Sequence, residues 1–179
     1  DVFSSHSVVS YSNLQDYTGF YISQGKLPAK IEYPSFIYEV KNGSLTSFDA
    51  TLQSDFDLCQ VGWMANNYAE SNSTQQFMIA GTKEDINQFV MPQLPAEVIS
   101  ENPDLSNLEN FSDYNSIVGI NYDFIDGYND YINYLSNLFE KGFPDIFIVN
   151  EAVAYNSIEK SLKSDNANHK PNDLLLRFK

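Results

Sequence analysis

Cysteine is nearly absent: Cys59 is the only one in 179 residues. That excludes an intramolecular disulfide framework and any zinc or iron–sulfur site built from several cysteines. Basic residues are also scarce, ten Lys and Arg against 24 Asp and Glu, for a formal charge of −14. Phosphate contacts need clustered Lys and Arg, so binding of nucleic acid is not expected. The eight glycines form no Gly-x-Gly-x-x-Gly, no Walker pattern and no Gly-x-Ser-x-Gly elbow. No apolar run approaches the roughly 18 residues of a membrane span. His6 and His169 stand far apart with no second His at ligand spacing, so neither a metal nor another cofactor is expected.

Aromatic residues, by contrast, make up 15% of the chain, which argues for a packed core rather than disorder. The length suits one domain spanning 1–179, able to bury about 70% of its unfolded surface without staples. Charge is unevenly placed. Residues 1–41 hold four acids and three bases, and residues 141–179 hold five acids and six bases. The middle, 42–140, carries fifteen acids and only Lys83. These acids alternate with Phe, Tyr, Ile and Leu, so the negative field is assigned to a folded face rather than a tail. Such a field either keeps the chain soluble or steers a cationic partner. The first residue is not Met, which fits both a removed leader and a trimmed chain, so export and a cytoplasmic location both stay open. Three Asn-x-Ser/Thr sequons begin at Asn42, Asn72 and Asn110, about the number chance supplies in so Asn-rich a chain.

Periodicity gives a coarse map. Residues 7–11 and 18–23 read as short strands. Residues 36–52 read as a hairpin folded at Asn42-Gly43, a strong turn pair. A strand at 58–64, a polar loop at 66–75 and a strand at 76–80 follow. Thr82 suits the cap of a helix ending before Pro92, and 91–105, with three prolines, reads as an extended connector. A strand at 116–122 leads to the most periodic helix, 123–141, with Asp123 as its cap. A buried strand within 145–150 and a helix over 151–163 complete a strand-helix-strand-helix unit at about 116–163, the pattern of a crossover. The expectation is one α/β or α+β domain with a mixed sheet and an antiparallel front half. Residues 164–179 read as a linker and a basic tail, either mobile or docked.

Two sets of carboxylates stand out. Asp123, Asp126 and Asp130 fall at i, i+3 and i+7, one face of the expected helix, and Tyr128, Tyr131 and Tyr134 interleave with them. Tyr beside carboxylate suits Lys and Arg through cation–π and charge-assisted contacts; the plainer reading is a solvated face with tyrosines packed at its rim. Asp55 and Asp57 flank Phe56, and on a strand they would share a face and could hold a hard cation or divide acid/base work. Cys59 with either His is a thin case for a nucleophile, and a small buried apolar side chain is the simpler reading.

Cys59-Gln60-Val61-Gly62-Trp63 resembles the Cys-x-x-x-Gly-Trp of hyaluronan-binding link modules, which depend on two disulfides and basic residues that this chain lacks. Leu27-Pro28, Tyr33, Phe36 and Asn42-Gly43 resemble a run in the SUKH immunity proteins, but Pro34 and the spacings differ. Neither resemblance carries a fold or a residue role to this chain. The leading expectation is a non-enzymatic acidic module that binds a basic protein partner, as an inhibitor or immunity protein does. Second comes an exported surface or assembly protein that self-associates through its aromatics. Third is a carboxylate-based or metal-dependent hydrolase.

Overall fold

Alternation at the front of the chain produces two strands. β1 (Ser7–Asn13) and β2 (Thr18–Gln24) pair antiparallel with Tyr11 opposite Phe20. They belong to a computed structural model that describes residues 6–25, 27–67, 73–141 and 144–156. β3 (Tyr38–Asn42) and β4 (Asp49–Leu52) form a separate antiparallel pair, within the expected hairpin. Its corner differs from a two-residue turn. A 3-10 turn at Leu45–Ser47 intervenes, and the return strand starts at Asp49. Tertiary bonds explain the detour. Leu45 is fully buried and its N–H donates to the Phe111 carbonyl at 3.0 Å, while the Gly43 carbonyl accepts the Trp63 indole N–H at 2.7 Å.

β5 (Leu58–Asn67) and β6 (Ser73–Gly81) form a long hairpin whose pairing reaches Asn67 opposite Ser73, so strand extends into the stretch expected as loop. α1 (Lys83–Asn87) begins with a capping box: the Thr82 hydroxyl accepts from the Asp85 N–H, and the Asp85 carboxylate accepts from the Thr82 N–H. It ends short of Val90, where the Asn87 amide ties to β4, accepting from the Leu52 N–H at 2.7 Å and donating to its carbonyl at 3.1 Å. The connector at 91–105 is not extended throughout; it holds α2 (Ala96–Glu101) and most of a 3-10 turn at Pro103–Ser106, and a second such turn, Leu108–Asn110, follows it.

β7 (Tyr114–Tyr122), α3 (Gly127–Lys141) and β8 (Phe147–Tyr155) complete the described chain. The large sheet has the order β1-β2-β8-β7-β5-β6, antiparallel at every pairing. The molecule is a mixed α+β single domain. β7 and β8 are antiparallel neighbours, so the segment through α3 is a return connection, not a parallel crossover. Where a second helix was expected, Glu151–Tyr155 is strand, held between β2 and β7; residues 157–163 of that helix and the tail 164–179 lie outside the described residues.

Alternation sorts the side chains of the sheet. One face presents Cys59, Val61, Trp63, Ile117, Ala152 and Ala154 to a layer containing Phe36, Leu45, Leu52, Ile86 and Phe111. This is the core, and Trp63 at its centre meets Phe48 edge-on at 5.1 Å. The other face bears Leu58, Ile120, Glu151 and Val153, all buried, and here Tyr131 of α3 stacks on Tyr122. Val9, Tyr11, Met64 and Met78 are on this same face and remain exposed. Among the described residues no helix is long and apolar enough to cross a membrane.

Candidate functional site

The corner between β7 and α3 carries the carboxylates and tyrosines singled out by the sequence, and its anchor is a residue from elsewhere. Asp57, just before β5, accepts the Tyr122 N–H on Oδ2 at 2.9 Å and the Gly127 N–H on Oδ1 at 3.1 Å. Its own N–H donates to Asn121 Oδ1 at 3.0 Å. A carboxylate at the first residue of α3 meets a free N–H and the positive end of the helix dipole. Gly127 has φ +81°, a left-handed conformation that any side chain would strain.

That geometry starts α3 four residues later than the periodicity suggests and separates the three aspartates. Asp123 is not a helix cap. Its Oδ1 accepts the Ile148 N–H at 2.7 Å, and its own N–H donates to the Ile148 carbonyl at 3.0 Å, pinning the corner to β8. Asp126 precedes the helix, and its N–H reaches Asp130 Oδ2 at 3.3 Å. Only Asp130 is on the helix, so the three do not share a helical face, though all are exposed at one corner. Tyr128, Tyr131 and Tyr134 are half-buried. Tyr131 stacks on Tyr122 with centroids 6.0 Å apart, Tyr128 lies 6.5 Å from Tyr131, and Tyr134 meets Phe124 edge-on at 5.2 Å. Burial raises the phenols of Tyr122, Tyr131 and Tyr134, so they remain neutral hydroxyls.

Between this helix and the corner is an open cleft of about 220 Å³, lined by Phe124, Ile125, Asp130, Asn133, Tyr134 and Asn137. It is smaller than usual small-molecule pockets, which start near roughly 300 Å³, and suits a single long side chain. A larger hollow of about 370 Å³ lies along this segment, with Leu94, Ile99, Leu105 and Leu108 as apolar walls and Glu109 also in its lining. The sequence did not reveal it, because three short turns broken by proline show no sustained period.

The other chemical candidates come apart. Asp55 and Asp57 are in a loop, not on a strand. Asp55 pairs with Lys83, while both oxygens of Asp57 are committed to backbone N–H groups, so the two do not form a catalytic pair. Cys59 is fully buried, and its thiol is pushed up to about 12, chiefly by burial and then by the Glu84 charge. His6 precedes β1, four strands away from β5, about 19 Å at the usual strand spacing. His169 lies outside the described residues. Among the described residues no three His, Cys, Asp or Glu side chains are grouped to hold a metal.

Exposed acids occur on both sides of the sheet. Glu84, Asp85, Glu97, Glu101 and Glu109 lie on the layer over the core, and Asp123, Asp126 and Asp130 beside α3. The field is thus a shell rather than one face, and the α3 corner is where it coincides with tyrosines and a cleft. No protein-family model, curated protein or solved structure matches this chain.

Proposed function

We propose that the chain is a non-enzymatic binding module whose α3 corner receives a basic protein partner. One observation carries this reading. Among the described acids of 42–140, eleven are exposed, against a single base in that segment, Lys83, which is itself engaged with Asp55. An unneutralised field of this kind steers a cationic protein at long range. At contact, the cleft beside Asp130 takes a Lys or Arg side chain, whose stem lies on Phe124 and Tyr134 while its charge meets the carboxylate and the amides of Asn133 and Asn137.

The pinning of Asp123 makes it a poor probe, since neutralising it would disturb the β7–β8 corner. The test therefore uses Asp126→Asn with Asp130→Asn. A basic protein captured from the source lysate and released by rising salt is purified, and its association is timed by stopped flow. The double variant should slow the on-rate about threefold and flatten its salt dependence. An unchanged on-rate, or capture of no basic protein, overturns the reading.

A further inference from the structure

β1 is an edge of the six-stranded sheet, and nothing among the described residues pairs with its outer side. Bonds at its two ends set which groups face outward. The His6 carbonyl accepts the Gly25 N–H at 2.7 Å, and the Leu14 N–H donates to the Tyr17 carbonyl at 2.8 Å. Even-numbered residues therefore exchange bonds with β2, and the N–H and C=O groups of Ser7, Val9, Tyr11 and Asn13 point away from the sheet. Natural edges are usually blunted by charge, proline or a bulge. β1 has none of these: its sequence is Ser-Val-Val-Ser-Tyr-Ser-Asn, its register with β2 is unbroken, and no Asp, Glu, Lys or Arg occurs in it although the chain carries −14. Val9 and Tyr11 are 42% and 59% exposed on the same sheet face, with Tyr11 against Phe20.

We propose that this edge pairs antiparallel with the β1 edge of a second copy, about a two-fold axis through Ser10. The outward set is self-complementary about that residue. Ser7 falls opposite Asn13 of the other copy and Val9 opposite its Tyr11, so every outward N–H and C=O in the strand gains a partner. The two exposed apolar side chains then become two identical Val–Tyr cross-strand pairs, a favoured combination of β-branched and aromatic residues. Isologous pairing closes at two copies and joins the two sheets into one of twelve strands. The interface is small, so association is weak and dependent on concentration.

This inference is independent of the basic-partner reading, and salt moves the two in opposite directions. Two copies of −14 repel one another, so screening tightens self-pairing while it weakens capture of a cation. Sedimentation velocity on the full chain, over about a hundredfold concentration range at low and high salt, should show a dimer that grows with both and no larger species. Val9→Lys with Tyr11→Lys sets lysines opposite each other across the axis and should leave a monomer, with the near-ultraviolet spectrum of the buried Trp63 unchanged. In Ser10→Cys, the two thiols meet at a non-hydrogen-bonded pair, with Cα atoms about 4.5 Å apart, within disulfide reach. Oxidation should give a covalent dimer, and Cys59 is buried away from competing. A monomer at every concentration, an open-ended polymer, or a dimer that survives the lysines and fails to cross-link at residue 10 overturns the proposal.

Discussion

Asp57→Ala tests whether a single carboxylate holds the α3 corner in place. The substitution leaves the Tyr122 and Gly127 N–H groups without their acceptor. Hydrogen bonds to a charged group contribute about 1.5–3 kcal/mol each, and a buried donor left unmet costs about 1–3 kcal/mol. Asp57 is half-buried, so water recovers part of the loss, and the lower end applies: about 2–4 kcal/mol for the pair of bonds. In a chain of this length that lowers Tm by about 5–12 °C. Asp57→Asn keeps one carbonyl acceptor and turns an amide donor toward the other N–H, so it should lose about half as much. Thermal melts followed through Trp63, the only tryptophan and fully buried, report the global loss. Amide exchange reports where it falls: protection in the first turn of α3 should drop more than in the middle of β7. An Asp57→Ala protein within about 0.5 kcal/mol of the parent, or one whose exchange rises uniformly, would refute the anchoring role.

Gly119 offers a packing test, since a Cβ there would sit 2.5 Å from two ring carbons of Phe56 and 2.7 Å from a third. Gly119→Ala should cost about 1–3 kcal/mol, and pairing it with Phe56→Ala should recover about 1 kcal/mol relative to the sum, read from urea midpoints; simple additivity would discredit the clash. Alkali should unfold the protein early. Burial raises Cys59 from 9.0 and Tyr114 from 10.0, each to about 12, so the folded state keeps protons that the unfolded chain gives up. This stability is fully present below pH 9 and declines as pH rises toward 12. Urea midpoints should therefore fall steadily above roughly pH 9, with Cys59→Ala delaying the onset by about one unit; midpoints that hold level would contradict it.

The strands at the front, the Thr82 cap and the strand ending at Tyr122 were legible because each depends on neighbours a few residues away. Other features depend on partners far along the chain. Asn42-Gly43 has the composition of a tight turn, yet Trp63 and Phe111 draw Gly43 and Leu45 into the core and lengthen the corner. Glu151-Ala152-Val153-Ala154 has helix-forming character, but β2 and β7 offer a ladder on both sides, and pairing overrides propensity. The periodicity of 123–141 is real, but Phe124 and Ile125 spend their apolar surface in the corner, and the left-handed Gly127 sets the helix start. Strand direction is not encoded in alternation, so an antiparallel return through α3 reads like a crossover. As for the site, the tyrosines and aspartates were visible as a cluster; their division into anchors and exposed charges was not, because Ile148 and Asp57 do the dividing.

The sheet order sets a schedule for synthesis. Among the described residues, the β1–β2 hairpin pairs with the rest of the sheet through β8, whose residues 147–153 pair with 24–18, about 120 positions or more earlier in the chain. At roughly 5–20 residues per second, a ribosome would have exposed that hairpin for about 6–25 seconds before its partner strand emerges. Throughout that interval β1 and β2 both present unpaired edges, and an isolated hairpin is marginally stable in water. Closure over so long a loop is slow, and β8 is the strand that joins the hairpin to the rest of the sheet. Chains cut short of β8 would leave the hairpin held only by side-chain contacts such as Tyr17 on Phe36 and Ser10 on Tyr33, its β2 edge open to proteases and to chaperones that bind bare strands.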